Sequence, residues 1–255
     1  MSAGLFDLSG RIALVTGSSR GIGLTLARGL AEHGAYVVLN ARSQETLDRA
    51  LDSLNAEGLT AEGRLFDVTD PVAVEAAVGD IEAKVGAIDI LVNNAGIQQR
   101  APLHEFPLDG WQRMLDTNLT SVFLVGAAVA RRMLPRKRGK IINICSLTSD
   151  LGRRTIAPYA ASKGGVKMLT RGMCADWGPS NIQVNGLAPG YILTEMNRAL
   201  IDDPAFDGWV RQRTPAGRWG ETRELVGAAV FLASTASDFV NGQVLTVDGG
   251  FSAVI

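Results

Sequence analysis

The feature that most constrains this chain is a series of short, almost wholly apolar runs separated by stretches with helical periodicity. The runs cover residues 12–15, 36–39, 88–92, 140–144, 182–185 and 243–247, with a weaker one at 60–66. Most of them lack alternation, so they read as strands covered on both faces. Between them, 21–32, 44–56, 71–84, 109–134, 158–177 and 222–232 carry helical patterns. Strands alternating with helices require right-handed crossovers and a parallel sheet with helices on both sides. The expected fold class is therefore α/β: one doubly wound domain over residues 1–255 with a seven-stranded parallel sheet. The insert at 191–221, which contains Pro204, Trp209, Pro215 and Trp219, interrupts the last crossover and is expected to form a substrate lid.

Composition removes several function classes. A net charge of -1 gives no field of one sign to gather nucleic acid or anionic lipid. The start, MSAGLFDLSG, lacks the basic flank and long apolar core of a secretory signal. The longest apolar stretch, around 122–130, is far short of the ~20 residues of a membrane span. Cys145 and Cys174 have no metal-ligand spacing and are expected to be buried, reduced thiols of a cytoplasmic protein. His33 and His104 form no zinc motif and are expected to be ordinary polar residues. The basic run 131–140 is expected to be a solvated helix end, with recruitment of an acidic carrier protein as the alternative. The chain holds 29 glycines. That excess suggests tight turns where backbone approaches a ligand.

The first strand leads directly into TGSSRGIG, which sets Gly17, Gly21 and Gly23 between that strand and the first helix. Such a turn lets backbone N–H groups, here around Ser19, Arg20 and Ile22, meet a pyrophosphate at the helix N-terminus, where the dipole favours anions. The spacing is not the usual G-x-G-x-x-G, and no G-K-S/T follows, so a nucleoside triphosphate loop is excluded. At the end of the second strand a free ribose 2′-hydroxyl would be met by Asp or Glu. Here Asn40 is followed by Arg42, and Arg20 sits in the glycine turn. Two guanidiniums without a carboxylate suit a 2′-phosphate, so the expected cofactor is NADP, unless both arginines are simply solvated. Asp67, followed by Val68 after the third strand, is a candidate for the adenine amino group or else caps a turn.

YAASK places Tyr159 and Lys163 four residues apart, on one face near the start of a helix. A nearby ammonium stabilises phenolate, and the positive nicotinamide of an oxidised cofactor adds to it. Lowering the phenol pKa by ~3 units requires about 4 kcal/mol, within reach of close charges in a partly dry site. Tyr159 would then exchange the proton on the substrate oxygen while Lys163 holds the nicotinamide ribose. Ser146 follows the strand KIINIC, at the sheet edge where ligands collect, and would polarise the reacting carbonyl. Asn118 lies in the long helical stretch and is read as shaping a proton path beneath Lys163, or as a plain polar helix residue.

The order of these elements resembles the short-chain dehydrogenase/reductase family across essentially the whole chain. TGSSRGIG, NNAG (93–96), Asn118, Ser146, YAASK, NGLAPG (185–190) and VDGG (247–250) fall where that family has its pattern. The resemblance implies a Rossmann-like fold and a catalytic tetrad of Asn118, Ser146, Tyr159 and Lys163. It also implies that Asn94, Ala95 and Gly96 line the cofactor channel, and that Pro189, Gly190, Ile192 and Thr194 border the nicotinamide. Homotetramers built on the two long helices that carry Asn118 and Tyr159 are a further implication. Stretches such as NAGIQQR and NIQVNGLAPGYILTEM resemble the gluconate 5-dehydrogenase branch, which implies a small anionic sugar-acid substrate. Such a ligand needs a cation for its carboxylate. Arg100, Arg153 and Arg154 are the candidates, Arg100 first, with Gln98 and Ser146 for hydroxyls; surface roles are the alternative for the arginines. Rival readings on the same scaffold are a 3-oxoacyl-carrier-protein reductase or another polyol dehydrogenase, and more remotely a non-catalytic nucleotide-binding scaffold.

Overall fold

The computed structural model describes residues 4–254; the ends of the expected 1–255 domain, residues 1–3 and 255, lie outside the described residues. Seven strands form one sheet: β1 (Ile12–Val15), β2 (Tyr36–Ala41), β3 (Ala61–Leu65), β4 (Ile88–Asn93), β5 (Gly139–Ile144), β6 (Ile182–Pro189) and β7 (Val244–Val247). Their order is β3-β2-β1-β4-β5-β6-β7, and every pair is parallel. The direction of winding reverses between β1 and β4, which opens a crevice beyond their C-terminal ends.

The helices are α1 (Gly21–Glu32), α2 (Gln44–Ala56), α3 (Pro71–Lys84), α4 (Leu108–Leu115), α5 (Ser121–Arg136), α6 (Ala157–Trp177), α7 (Arg198–Ile201), α8 (Pro204–Arg213) and α9 (Val226–Ala233). Successive side chains of a strand face opposite layers. Ala13 and Val15 pack with Leu26 and Leu30 of α1, Leu47 and Leu54 of α2, and Val230 of α9. Leu14 and Leu91 join the other layer with Val78 and Ile81 of α3, Val125 and Val129 of α5, and Val166 and Met173 of α6. The doubly wound α/β class expected from the apolar runs is the class observed.

Several local expectations need correction. The helix expected at 109–134 is broken by a π-helical turn, Asp116–Thr120, which joins α4 to α5. The helix expected at 222–232 begins as a 3₁₀ turn, Thr222–Leu225. The outer strands β3 and β7 are only partly covered, and Leu245 of β7 is exposed, because an edge strand has a neighbour on one side alone. Cys145 is buried but Cys174 only half-buried, on the part of α6 that faces Gly242. The basic run is not merely solvated. Arg131 and Arg132 pair with Glu75 on α3, Arg136 with Glu82, and Arg138 with Asp89. No helix among the described residues is long and apolar enough to cross a membrane.

The insert after β6 is drawn together at its neck. Gly220 N donates to Tyr191 O at 2.9 Å, Leu193 N donates to Gly220 O at 2.9 Å, and Ile192 forms an isolated parallel bridge with Gly220. Inside it, α7 and α8 support an aromatic cluster centred on Tyr191. Its ring lies 5.7 Å from Phe206, 5.9 Å from Trp209, 5.4 Å from Trp219 and 5.1 Å from Phe251, all edge-on.

The start of α3 shows how sharply one side chain sets a boundary. Asp70 accepts from Val72 N at 2.9 Å and Ala73 N at 3.1 Å, and Pro71 supplies a pre-set φ at the first helical position. Asp70→Ala is expected to cost about 1 kcal/mol. The check is urea unfolding, with a lower midpoint and an unchanged denaturant slope.

Candidate active site

The loops that follow β1, β2, β4, β5 and β6 all leave the same edge of the sheet, and they bring most of the expected residues together. The glycine turn is pinned from both sides. Asn40, on β2, is 2% exposed and accepts from Gly17 N at 3.0 Å, while its amide donates to Phe66 O at 3.0 Å. Asn94, after β4, donates to Thr16 O at 2.9 Å and Gly17 O at 3.0 Å. Gly17 has φ +60°, and a Cβ there would stand 2.9 Å from Ala95 Cα. A Cβ on Gly23 would stand 2.4 Å from Asn94 Nδ2 and 2.5 Å from Gly17 O. Asn40 therefore holds the turn from within the protein.

Above this turn α1 begins without a side-chain cap and without an acidic residue in its first turn, so its leading N–H groups stay open to an anion. Ser19 and Ile22 are half-buried beside it. Arg20 and Arg42 are exposed, and each meets only a loose acidic partner, Glu195 at 3.2 Å and Asp67 at 3.7 Å. Asp67 accepts from Thr69 N at 2.9 Å and Thr69 Oγ1 at 2.7 Å, the turn-capping alternative of the sequence reading. Val68 is buried.

The chemistry-bearing side chains converge from β5, α6 and the π turn. Lys163 is 4% exposed and its Nζ donates to Ile144 O at 2.6 Å, 5.9 Å from the centre of the Tyr159 ring. Burial pulls the ammonium down to about 8. Burial also pushes the Tyr159 phenol up, against the Ser146 hydrogen bond and the Arg100 charge, which pull it down. The lowering expected from Lys163 is therefore not produced by the chain alone. Its ammonium is turned to the Ile144 carbonyl, and the desolvation of the phenol dominates.

Asn118, wholly buried in the π turn, accepts from Ile97 N at 2.8 Å and donates to Ile97 O at 2.9 Å and Ser162 Oγ at 3.1 Å. Ser162 Oγ in turn donates to Tyr159 O at 2.7 Å. Both amide hydrogens of Asn118 thus tie the loop at Gly96 and Ile97 to α6. Ser146 opens the 3₁₀ turn Leu147–Ser149, and its Oγ accepts from Thr148 N at 3.1 Å.

Two neighbouring cations stand on the loops, and the charge of one, Arg100, reaches the phenol. Arg100 donates to Gln98 Oε1 at 2.7 Å and Met196 O at 3.3 Å, yet its buried Nε has no partner among the described residues. Burial, then the charge of Arg153, pulls the Arg100 guanidinium down. Arg153 lies 5.1 Å over the Phe206 ring and beside Tyr191, whose phenol it pulls down against burial, and its buried Nε likewise has no partner among the described residues. Ala101 N donates to Thr155 O at 3.1 Å and so joins the two arginine-bearing loops. Arg154 is exposed and stands outside this group. Pro189 ends β6, Gly190 N donates to Val247 O at 2.9 Å, Ile192 is buried in the core and Thr194 is half-buried. Thr148, Ser149 and the Arg153–Tyr191 contact were not foreseen from the sequence; the S-x-x-S spacing of Ser146 and Ser149 is a capping pattern that marks Ser149.

The family model for short chain dehydrogenase matches residues 11–205. The chain is a short-chain dehydrogenase. A gluconate 5-dehydrogenase of Gluconobacter oxydans (strain 621H) is 61% identical, with 97% of each chain covered. A 5-keto-D-gluconate 5-reductase of Escherichia coli (strain K12) is 55% identical, with 98% of this chain and 99% of that one covered. Among solved structures, a gluconate 5-dehydrogenase from Burkholderia cenocepacia J2315 in complex with NADP and tartrate has a TM-score of 0.97 and 59% identity, with 100% of both chains covered. The glycine turn of this short-chain dehydrogenase yields a direct test. Gly23→Ala is expected to lower nicotinamide-nucleotide affinity at least tenfold, because the methyl group displaces the Asn94 amide from the turn. Fluorescence titration with NADPH reads that loss.

Proposed function

We propose that this short-chain dehydrogenase uses NADP to interconvert D-gluconate and 5-dehydro-D-gluconate reversibly by hydride transfer, with Tyr159 as acid and base. The observation that carries the substrate class is the pair Arg100 and Arg153, two neighbouring guanidiniums whose buried Nε atoms have no partner among the described residues, with the Arg100 charge felt at Tyr159. Such donors favour a small anion that fills them, and an arginine takes a carboxylate through paired hydrogen bonds. The close relatives named for gluconate and 5-keto-D-gluconate agree with this chemistry. The rival with an acyl-carrier substrate has less support. The basic residues Arg131, Arg132, Arg136 and Arg138, which an acidic carrier would use, already answer acids on α3 and β4.

The residues at the glycine turn fit NADP. The uncapped start of α1 and the Gly17–Gly23 cradle would hold the pyrophosphate, and the exposed Arg20 and Arg42 would grip the 2′-phosphate. Asn94, Ala95, Gly96, Pro189, Gly190, Ile192 and Thr194 would flank the remainder of the cofactor. When bound, the nicotinamide accepts or supplies the hydride. Oxidation converts gluconate and NADP⁺ to the 5-keto acid, NADPH and one proton, and that proton leaves through Tyr159 Oη. Ser146 donates to the reacting oxygen, and Arg100 with Gln98 orients the carboxylate end. Lys163 adds positive charge beneath the phenol.

The insert at 191–221 would act as the lid over this end of the site, with Tyr191 and Phe206 holding Arg153 in place. A homotetramer is supported by Leu108, Phe123 and Met168, large apolar side chains exposed on α4, α5 and α6. A cytoplasmic setting agrees with the two free cysteines.

The deciding experiment follows absorbance of reduced nicotinamide with D-gluconate and a panel of polyols, using NADP⁺ and NAD⁺ in turn. Gluconate-dependent reduction of NADP⁺ is expected, and Tyr159→Phe is expected to remove it while NADPH still binds. Turnover of another alcohol but not of gluconate would overturn the substrate. Arg42→Ala is expected to raise KM for NADP⁺ at least tenfold and to leave KM for NAD⁺ within twofold. Equal losses for both would remove the 2′-phosphate role.

A further inference from the structure

We propose that Thr155 is a positioning residue for the substrate: its left-handed backbone turns its carbonyl onto Ala101 N and so fixes the loops of Arg100 and Arg153 at one spacing for an anion. This rests on the role given above to those two arginines as donors to the sugar acid. Among the described residues, three that are not glycine have positive φ: Lys137 at 51°, Asn181 at 58° and Thr155 at 68°. Lys137 closes α5 and Asn181 closes the 3₁₀ turn Gly178–Ser180, places where a left-handed residue is common. Thr155 closes no helix. It stands in the turn that precedes α6, and a β-branched residue stays in this conformation only where its surroundings impose it.

The surroundings act from three directions. Downstream, Ile156 is 2% exposed and its carbonyl accepts from Ala160 N at 2.9 Å, which fixes the entry into α6. Upstream, the Arg153 guanidinium lies 5.1 Å over the Phe206 ring. From the side, Thr155 O accepts from Ala101 N at 3.1 Å. Arg100 adjoins Ala101, so this backbone hydrogen bond sets the register between the two arginine loops. The arginines do not set it themselves: they carry like charge, and each keeps a buried Nε without a partner among the described residues. Thr155 Oγ1 donates to Arg154 O at 2.7 Å, a local bond of a short polar side chain that offsets part of the cost of the left-handed backbone. An extended Thr155 would turn its carbonyl away from Ala101 and release the two loops from each other. Donors already held at the right spacing spare the ordering cost that loose side chains incur on binding.

The test compares the full-length chain with Thr155→Val, which keeps the shape, loses the hydroxyl and stays unsuited to positive φ, and with Thr155→Gly and Thr155→Asn, which accept it. Thr155→Val is expected to raise KM for gluconate about tenfold and to leave KM for NADP⁺ within about twofold. Thr155→Gly and Thr155→Asn are expected to keep both constants within about twofold of the parent. Hydrogen exchange at the Ala101 amide, read by mass spectrometry without substrate, is expected to quicken in Thr155→Val and not in the other two. If Thr155→Val alters the circular dichroism, Thr155→Ala, which also resists positive φ, takes its place. An unchanged KM for gluconate in Thr155→Val overturns the proposal. So does a loss in Thr155→Gly equal to that in Thr155→Val, which would assign the effect to the side chain and not to the turn. If the parent reduces no nicotinamide with gluconate, the functional reading fails, while exchange at Ala101 still decides whether Thr155 holds the two loops together.

Discussion

Parallel pairing of β1 with β2 on one side and β4 on the other is the constraint on which this molecule depends. Strands that all run one way bring every following loop to one edge, and the reversal of winding beside β1 keeps that edge open. The glycine turn, the arginines of the β2 and β4 loops, Ser146 and the start of the insert meet there because each follows a strand. The helices fill both faces, so Leu14 and Val15 are completely buried on opposite sides of the sheet.

Polar groups inside this frame are held by partners distant in the chain. Asn40 and Asn94 reach the glycine turn from neighbouring strands. Asn93 donates to Asn143 at 2.9 Å, and Asn143 donates to Thr170 Oγ1 at 2.9 Å, in a buried line that couples β4 and β5 to α6. Each bond is worth on the order of 1 kcal/mol when made, and leaving its atoms unmet in the interior costs more than that. Polar side chains can thus stand directly beneath a reacting centre without loosening the fold around it. Arg100 and Arg153 depart from this pattern, since each keeps one buried donor unmet among the described residues.

How much of this was legible depended on whether the signal was local. α1, α2 and α3 begin and end where their periodicity does, and α3 carries its own boundary in Asp70 and Pro71. The YAASK pair and Ser146 were readable from spacing and from their place after strands. The π turn was not, because its cause is tertiary: Asn118 bonds Ile97 and Ser162, and no periodicity records those partners. The part Asn40 plays in the glycine turn was not legible for the same reason: its hydrogen bonds go to Gly17 and Phe66, 23 and 26 residues away. Spacing places Lys163 near the phenol but does not reveal how deeply Tyr159 is buried, which pushes its phenol up in the chain alone.

The narrow neck of the segment after β6 separates two kinds of change. Because Tyr191 and Gly220 are bonded to each other, the residues between them form a closed excursion whose ends meet. Chain can be added or removed inside such an excursion at small entropic cost and without re-registering β6 against β7. The surface that Phe206 and Trp209 present is in this sense modular. It can drift toward a differently shaped ligand while the Tyr159, Lys163 and Ser146 grouping, anchored on β5 and α6, stays as it is.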